Sequence, residues 1–232
     1  MRLAFAVFFS LLWIPLTAGS SDTDVYVRQL ESAYKRARTL EAKFLQEYSE
    51  GGKVTRSESG TAYFRRPGKM RWEYVSPEAN LFVVDGKFAW FYVPADHTVS
   101  RAAARDSSDW RTPLALLAGE MKVSRVCAKI TLSTEQPADR ALVRMNCLLR
   151  GTEKDTKAGL PHDQAQFEIV KSSGELHRVV VISSGGVRME MQFSNWRFDP
   201  PAPDELFHFQ PPKGVAIVNG DELLARPGSP LP

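Results

Sequence analysis

At Thr39 the apolar period of this chain changes from 3.6 to 2, and nearly everything after it is short and punctuated by turns. Before that point, Val27, Leu30, Ala33, Tyr34 and Ala37 recur at helical spacing, which predicts a helix over residues 24–38. Asp22, Thr23 or Asp24 can cap its free N–H groups, and Lys35, Arg36 and Arg38 suit its negative end. After it, Leu40, Ala42, Phe44, Gln46 and Tyr48 alternate with Glu41, Lys43, Leu45 and Glu47, the pattern of a half-buried strand.

The strands that follow are bounded by turn signals. Gly51-Gly52, Pro67-Gly68, Ser76-Pro77 and Asp85-Gly86 separate expected strands at 56–66, 69–75, 81–84 and 87–93. Further strands are expected at 122–132, 140–150, 164–171, 175–183 and 187–196, with a last short one at Phe207-His208-Phe209. This rhythm predicts a mainly β chain whose antiparallel sheet curls into a barrel or a sandwich. One segment breaks it. Residues 112–119 read as a helix, with Thr112 as cap, Pro113 in the first turn, Gly119 at the end and only apolar side chains between. A short helix without a polar face must be covered on all sides. It is either a core plug or a lid over an apolar cavity.

The N-terminus carries Arg2, an apolar run to Leu16 and then small residues, the order of a secretory signal peptide. Residues 1–19 are therefore expected to be removed, 22–220 to form a single domain and 221–232 to be a flexible tail. The run is short of the roughly 20 residues that span a bilayer. No cysteine lies near the cleavage point, so the exported chain is expected to be soluble and free of an N-terminal lipid. A net charge of +3, with both signs interspersed, argues against nucleic acid as a partner. The chain has four histidines, His97, His162, His177 and His208, and none has metal-site spacing. Glu73 and Asp85 could meet in space, but no nucleophile elbow or phosphate loop accompanies them, and neither an enzyme nor a cofactor is expected.

The aromatic load points elsewhere. Tyr63, Phe64, Trp72, Tyr74, Phe82, Phe88, Trp90, Phe91 and Tyr92 crowd one short stretch, more apolar bulk than one small sheet face needs. On strand 87–93 both faces are aromatic or apolar, which suits a sheet covered on both sides, although a solid core fits the pattern too. Strand parity and the apolar helix together predict a cavity lined by Phe44, Phe64, Met70, Trp72, Trp90 and Leu117. Cys127 and Cys147 are candidates for a disulfide in an oxidising compartment. A hairpin symmetric about Pro137 sets them opposite one another. The alternation of apolar residues instead favours a one-residue slip that parts them, unless a bulge reconciles the two.

The block from Phe64-Arg65-Arg66-Pro67-Gly68-Lys69-Met70-Arg71-Trp72-Glu73-Tyr74 through Pro77, Val83-Val84-Asp85-Gly86-Lys87 and Trp90-Phe91-Tyr92-Val93-Pro94 resembles the LolA family. Leu40 to Gln46 and the segment Phe207 to Val215 extend the likeness over most of the chain. The resemblance implies an incomplete, curled antiparallel β-barrel closed by short helices. It implies a periplasmic carrier, expected to be a monomer, that shields lipoprotein acyl chains. Its expected partners are an inner-membrane lipoprotein-releasing ABC transporter and the outer-membrane receptor LolB or an equivalent. It also implies that Arg66 hydrogen-bonds the lid and holds the empty cavity shut. An envelope lipid sensor or signalling module on the same fold is the alternative. Lys69 and Met70 stand where relatives often carry an aromatic residue, and the cysteine pair is not a general family feature.

Overall fold

The computed structural model describes residues 21–104, 115–118, 122–150, 163–183 and 186–219. The expected leader at 1–19 and tail at 221–232 lie outside them. Helix α1 spans Asp22–Lys35, and Ser21 caps it reciprocally with Asp24. It ends nearly one turn before the expected 38.

Among the described residues twelve strands form one sheet: β1 (Thr39–Glu50), β2 (Lys53–Arg65), β3 (Lys69–Ser76), β4 (Leu81–Val84), β5 (Phe88–Val93), β6 (Thr98–Ala103), β7 (Cys127–Leu132), β8 (Leu142–Leu149), β9 (Gln164–Val170), β10 (Leu176–Ile182), β11 (Arg188–Phe198) and β12 (Ala216–Asn219). Their order across the sheet is β12-β6-β5-β4-β3-β2-β1-β11-β10-β9-β8-β7. The sheet curls without closing, and the long β1 sits in its middle between β2 and β11. It is an incomplete antiparallel barrel with one exception, since β12 runs parallel to β6.

Several elements differ from expectation. The apolar segment at 112–119 is helical over Ala115–Ala118 (α2), and its other residues lie outside those described. Val123–Val126 forms a helical turn (α3) where a strand was expected. In place of the strand expected at 207–209, Asp204–Phe207 forms a 3-10 turn and His208-Phe209 has no regular structure, in a strap running over the outer face of the sheet. Arg65 Nη1 donates to Ala202 O at 3.1 Å, Arg71 Nη1 to Leu206 O at 3.1 Å and Lys69 Nζ to Asp204 Oδ1 at 2.8 Å, which fastens that strap.

Cys127 and Cys147 are joined, with S–S 2.09 Å and Cα–Cα 5.4 Å. The hairpin is not symmetric about Pro137. Ile130 faces Cys147 and Leu132 faces Met145, while Cys127 faces Leu149 across a register shift between Cys127 and Lys129. The bulge lets β7 keep its apolar residues on one face and still bring Cys127 back to its partner.

Candidate functional site: the inner face of the sheet

Because paired residues point to the same side of a sheet, the registers of β11, β1, β2, β3 and β4 stack the inner face into layers. The lowest joins Phe198, Leu40, Phe64, Met70 and Val84; the next joins Ala42, Ala62, Trp72 and Phe82; the third joins Phe193, Phe44, Gly60 and Tyr74. Large and small residues alternate so that rings have somewhere to lie. Trp72 spreads beside Ala42 and Ala62. Gly60 is required where it stands, since a Cβ there would fall 1.9 Å from Glu73 O and 3.0 Å from the Phe44 ring.

The rings interlock. Phe44 meets Trp72 edge-on at 5.0 Å and Tyr74 at 5.1 Å, while Phe64 meets Trp72 at 5.4 Å. Phe44, Phe64, Met70, Trp72 and Leu117 all belong to one buried cluster with Leu30 and Tyr34 of α1 and Val179, Met189, Met191 and Phe193 of the far strands. Above them the face turns polar. Tyr74 Oη donates to Gln46 Oε1 at 3.1 Å, and Gln46 Nε2 donates to Tyr48 Oη at 2.6 Å. Glu58, opposite Gln46, pairs with Arg56. The inner face is thus apolar below and hydrogen-bonded above.

Trp90 does not belong to this set. Its neighbours Ala89 and Phe91 face inward, and Trp90 points out with Val83 and Val99 into a second, smaller cluster. Phe209 of the strap covers it at 5.7 Å, and its Nε1 donates to Asp85 Oδ2 at 3.0 Å. Burial raises the Asp85 carboxyl, but bonds from Phe88 N–H, Trp90 and Lys87 N–H outweigh it and hold the group low. Parity fixed which residues of β5 share a face. It left open which face is inside.

Helix α1 lies across the inner face and is tied to its far half. Tyr34 Oη accepts from Leu176 N at 2.8 Å, and burial pushes its pKa far above the ordinary tyrosine value. Trp196 Nε1 donates to Leu176 O at 2.7 Å. Gly174, with φ of 75°, lets the β9–β10 turn touch the helix: a Cβ there would sit 2.4 Å from Gln29 O.

Arg66 closes the opposite end. Its Nη1 donates to Lys35 O in the last turn of α1 at 3.0 Å, and its backbone N donates to Arg38 O. The contact to α2 comes two residues later, from Gly68 N to Ala118 O at 2.8 Å. The described Arg66 bond therefore braces α1, with the turn's backbone holding α2. Arg66 Nε and Nη2 are buried without a hydrogen-bond partner among the described residues, and burial pushes the guanidinium below its ordinary pKa against the charge of Asp199. The root of the helical segment is fixed too. Val123 N donates to Glu31 Oε1 at 2.8 Å, Arg150 Nε donates to Ser124 O at 3.0 Å, and Cys127 carries the disulfide.

Among the described residues no group of His, Cys, Asp or Glu could hold a metal ion, and no helix is long and apolar enough to cross a membrane. The polar layer was not anticipated from sequence as a unit, because Gln46 and Glu58 meet only through strand pairing.

The profile of the family described as "Outer membrane lipoprotein carrier protein LolA" matches residues 35–210. An outer-membrane lipoprotein carrier protein of Dechloromonas aromatica (strain RCB) is 32% identical over 219 residues, covering 92% of this chain and 94% of that one. A second, of Chromobacterium violaceum, is 32% identical over 196 residues, covering 84% and 88%. A crystal structure of an uncharacterized conserved protein from Thermus thermophilus shares the fold, with a TM-score of 0.51, 13% identity and coverage of 84% and 98%. A profile match across most of the chain, and relatives of this identity over nearly their whole length, place the chain in the LolA family of outer membrane lipoprotein carrier proteins.

Proposed function

We propose that this protein is a periplasmic carrier that takes lipoproteins from an inner-membrane lipoprotein-releasing ABC transporter. It holds their acyl chains against the inner face of the sheet and passes them to an outer-membrane receptor, LolB or its equivalent. The observation that carries the reading is the continuous apolar lower part of the inner face, in a sheet whose edge strands, β12 and β7, do not pair with one another. A closed barrel would have to break a hydrogen-bond ladder to admit a chain. An open one needs only its helical cover to shift. That cover rests on the face through Leu117 and Ala118 and is tied by the Gly68–Ala118 bond, an interaction worth about 1 kcal/mol. Arg66 braces the same corner and, on this reading, favours the shut state.

The energetics need no chemistry. Each acyl methylene withdrawn from water contributes about 0.8 kcal/mol, so several chains give tight holding. The aromatic side chains that now fill the face close on one another when the cargo leaves, which offsets part of that loss and makes transfer to a stronger receiver feasible. The direct experiment incubates the purified protein with inner-membrane vesicles that carry the transporter and an acylated lipoprotein. Lipoprotein should appear in the soluble fraction only when ATP and this protein are both present. Binding of acylated peptide with no such release would overturn the carrier reading in favour of lipid sensing.

A further inference from the structure

Three tryptophans lie among the described residues, and two have hydrogen-bonded indoles. Trp90 Nε1 donates to Asp85 and Trp196 Nε1 to Leu176 O. Trp72, the fully buried one, is different: its Nε1 is buried and has no hydrogen-bond partner among the described residues. A sealed indole N–H without an acceptor is uncommon, because the water it gave up is not replaced. Its surroundings explain why none is found. Ala42 and Ala62 flank it, and the rings of Phe44, Phe64 and Phe193 close round it at 5.0, 5.4 and 6.2 Å. The nearest polar side chains along the face, Tyr74 and Gln46, are bonded to each other.

We propose that the Trp72 indole N–H is the donor for a carbonyl oxygen of the bound acyl group. The inference rests on the carrier reading and names the chemistry that reading leaves open. A fatty-acyl chain drawn into an apolar site must bring its carbonyl with it, and that oxygen, buried alone, is as unfavourable as the lone N–H. Joining the two removes both penalties. The position fits. Trp72 lies one layer below Tyr74, two below Gln46 and three below Tyr48, so the polar head of the cargo would face the hydrogen-bonded upper layers. The hydrocarbon would run down towards Leu40, Phe64 and Met70. The site would then select acyl groups over plain hydrocarbon of the same length.

The test uses wild-type protein with ¹⁵N-labelled tryptophan and three matched ligands: a diacylglycerol, an N-acyl amide and a dialkylglycerol ether that lacks carbonyls. The Trp72 indole N–H resonance should move downfield with the ester or the amide and not with the ether, and the ligand that moves it identifies the acyl linkage read. The Trp90 and Trp196 signals, already bonded, should stay in place. Trp72→Phe should lower the preference for the acyl ligand over the ether about fivefold, the worth of one net hydrogen bond. A Trp72 resonance unmoved by bound ester and by bound amide alike, with the preference unchanged in Trp72→Phe, would overturn the proposal while leaving the carrier reading intact. So would an indole signal held upfield by a neighbouring ring with and without ligand, the mark of an N–H directed at an aromatic face. If the wild-type protein binds none of the three, the carrier reading fails and takes this inference with it.

Discussion

At the scale of single residues the inner face depends on where bulk is missing as much as on where it is present. Sequence alone does not single out Gly60, because a glycine in a strand interior looks merely tolerated until its neighbours across two strands are known. Its Cβ would meet the backbone of Glu73, which cannot swing aside as a side chain can. Gly60→Ala should therefore destabilise the fold by about 3 kcal/mol. Urea unfolding measures it, and an unchanged midpoint would mean that the β2–β3 pairing is looser than described. Arg66 is the residue whose role the structure redirects. Its described bond goes to α1, and it stands beside the turn whose backbone holds α2. Arg66→Leu should still take up lipoprotein but release it to the receptor more slowly, because closure no longer helps expel the cargo. A two-component transfer assay reads this directly, and a normal handover rate would remove Arg66 from the closing mechanism. Trp90 shows the limit of local pattern. β5 is apolar on both faces, so only the strap over its outer side settles where Trp90 goes.

At the scale of elements, the turns and central strands were legible and the edges were not. The strand at Leu81–Val84 has the limits expected of it, bounded by Pro77 and by Asp85-Gly86. β6 was missed because Thr98–Ala103 is rich in small residues, and β12 because four residues after Pro211-Pro212 become a strand only through distant pairing with β6. The cysteine hairpin needed a bulge that neither symmetry nor alternation alone would place. Its disulfide ties edge strand β7 to β8 at the root of the helical segment. The Cys127→Ala, Cys147→Ala double variant, which opens a loop of about 20 residues, should lose around 3 kcal/mol of stability. Intact mass before and after reduction checks the bond itself: two free thiols in the unreduced exported protein would contradict it.

On the outer face of β8 to β11 the stabilising elements are ionic. Arg144 Nε meets Glu168 at 2.7 Å, Arg178 bridges Glu168 and Glu190, and Arg188 Nη2 meets Glu190 at 3.0 Å. Burial raises both carboxyls, but the bonds and charges of Arg178, with Arg144 at Glu168 and with Gln192 and Arg188 at Glu190, hold them below the ordinary 4.5. A lowered folded-state pKa gives stability that is complete above the unfolded value and is lost as pH falls through the folded one. Stability should therefore be insensitive to these groups well above the ordinary 4.5 and fall below it. Glu168→Gln should flatten that acid limb in chemical-denaturation curves taken across pH. An unaltered slope would mean that Glu168 ionises alike in the folded and unfolded chains.

At the scale of the whole molecule the sheet separates two apolar faces with different covers. The outer cluster of Val83, Trp90 and Val99 is covered by the chain's own strap, through Phe209 and Val215. The inner one is covered by helices, one of them short and tied at its end by a single turn of backbone. Composition and parity revealed that there would be apolar material on both sides, but not which cover is permanent. The central claim is that acyl chains occupy the inner face and no other. The most direct measurement loads the protein with an acylated lipoprotein whose fatty chains end in a diazirine, irradiates it, and maps the adducts by mass spectrometry. Adducts should fall on inner-face residues such as Phe44, Phe64, Phe193 and Leu117. Adducts confined to Val83, Trp90, Val99 or Phe209 on the outer face would contradict the account.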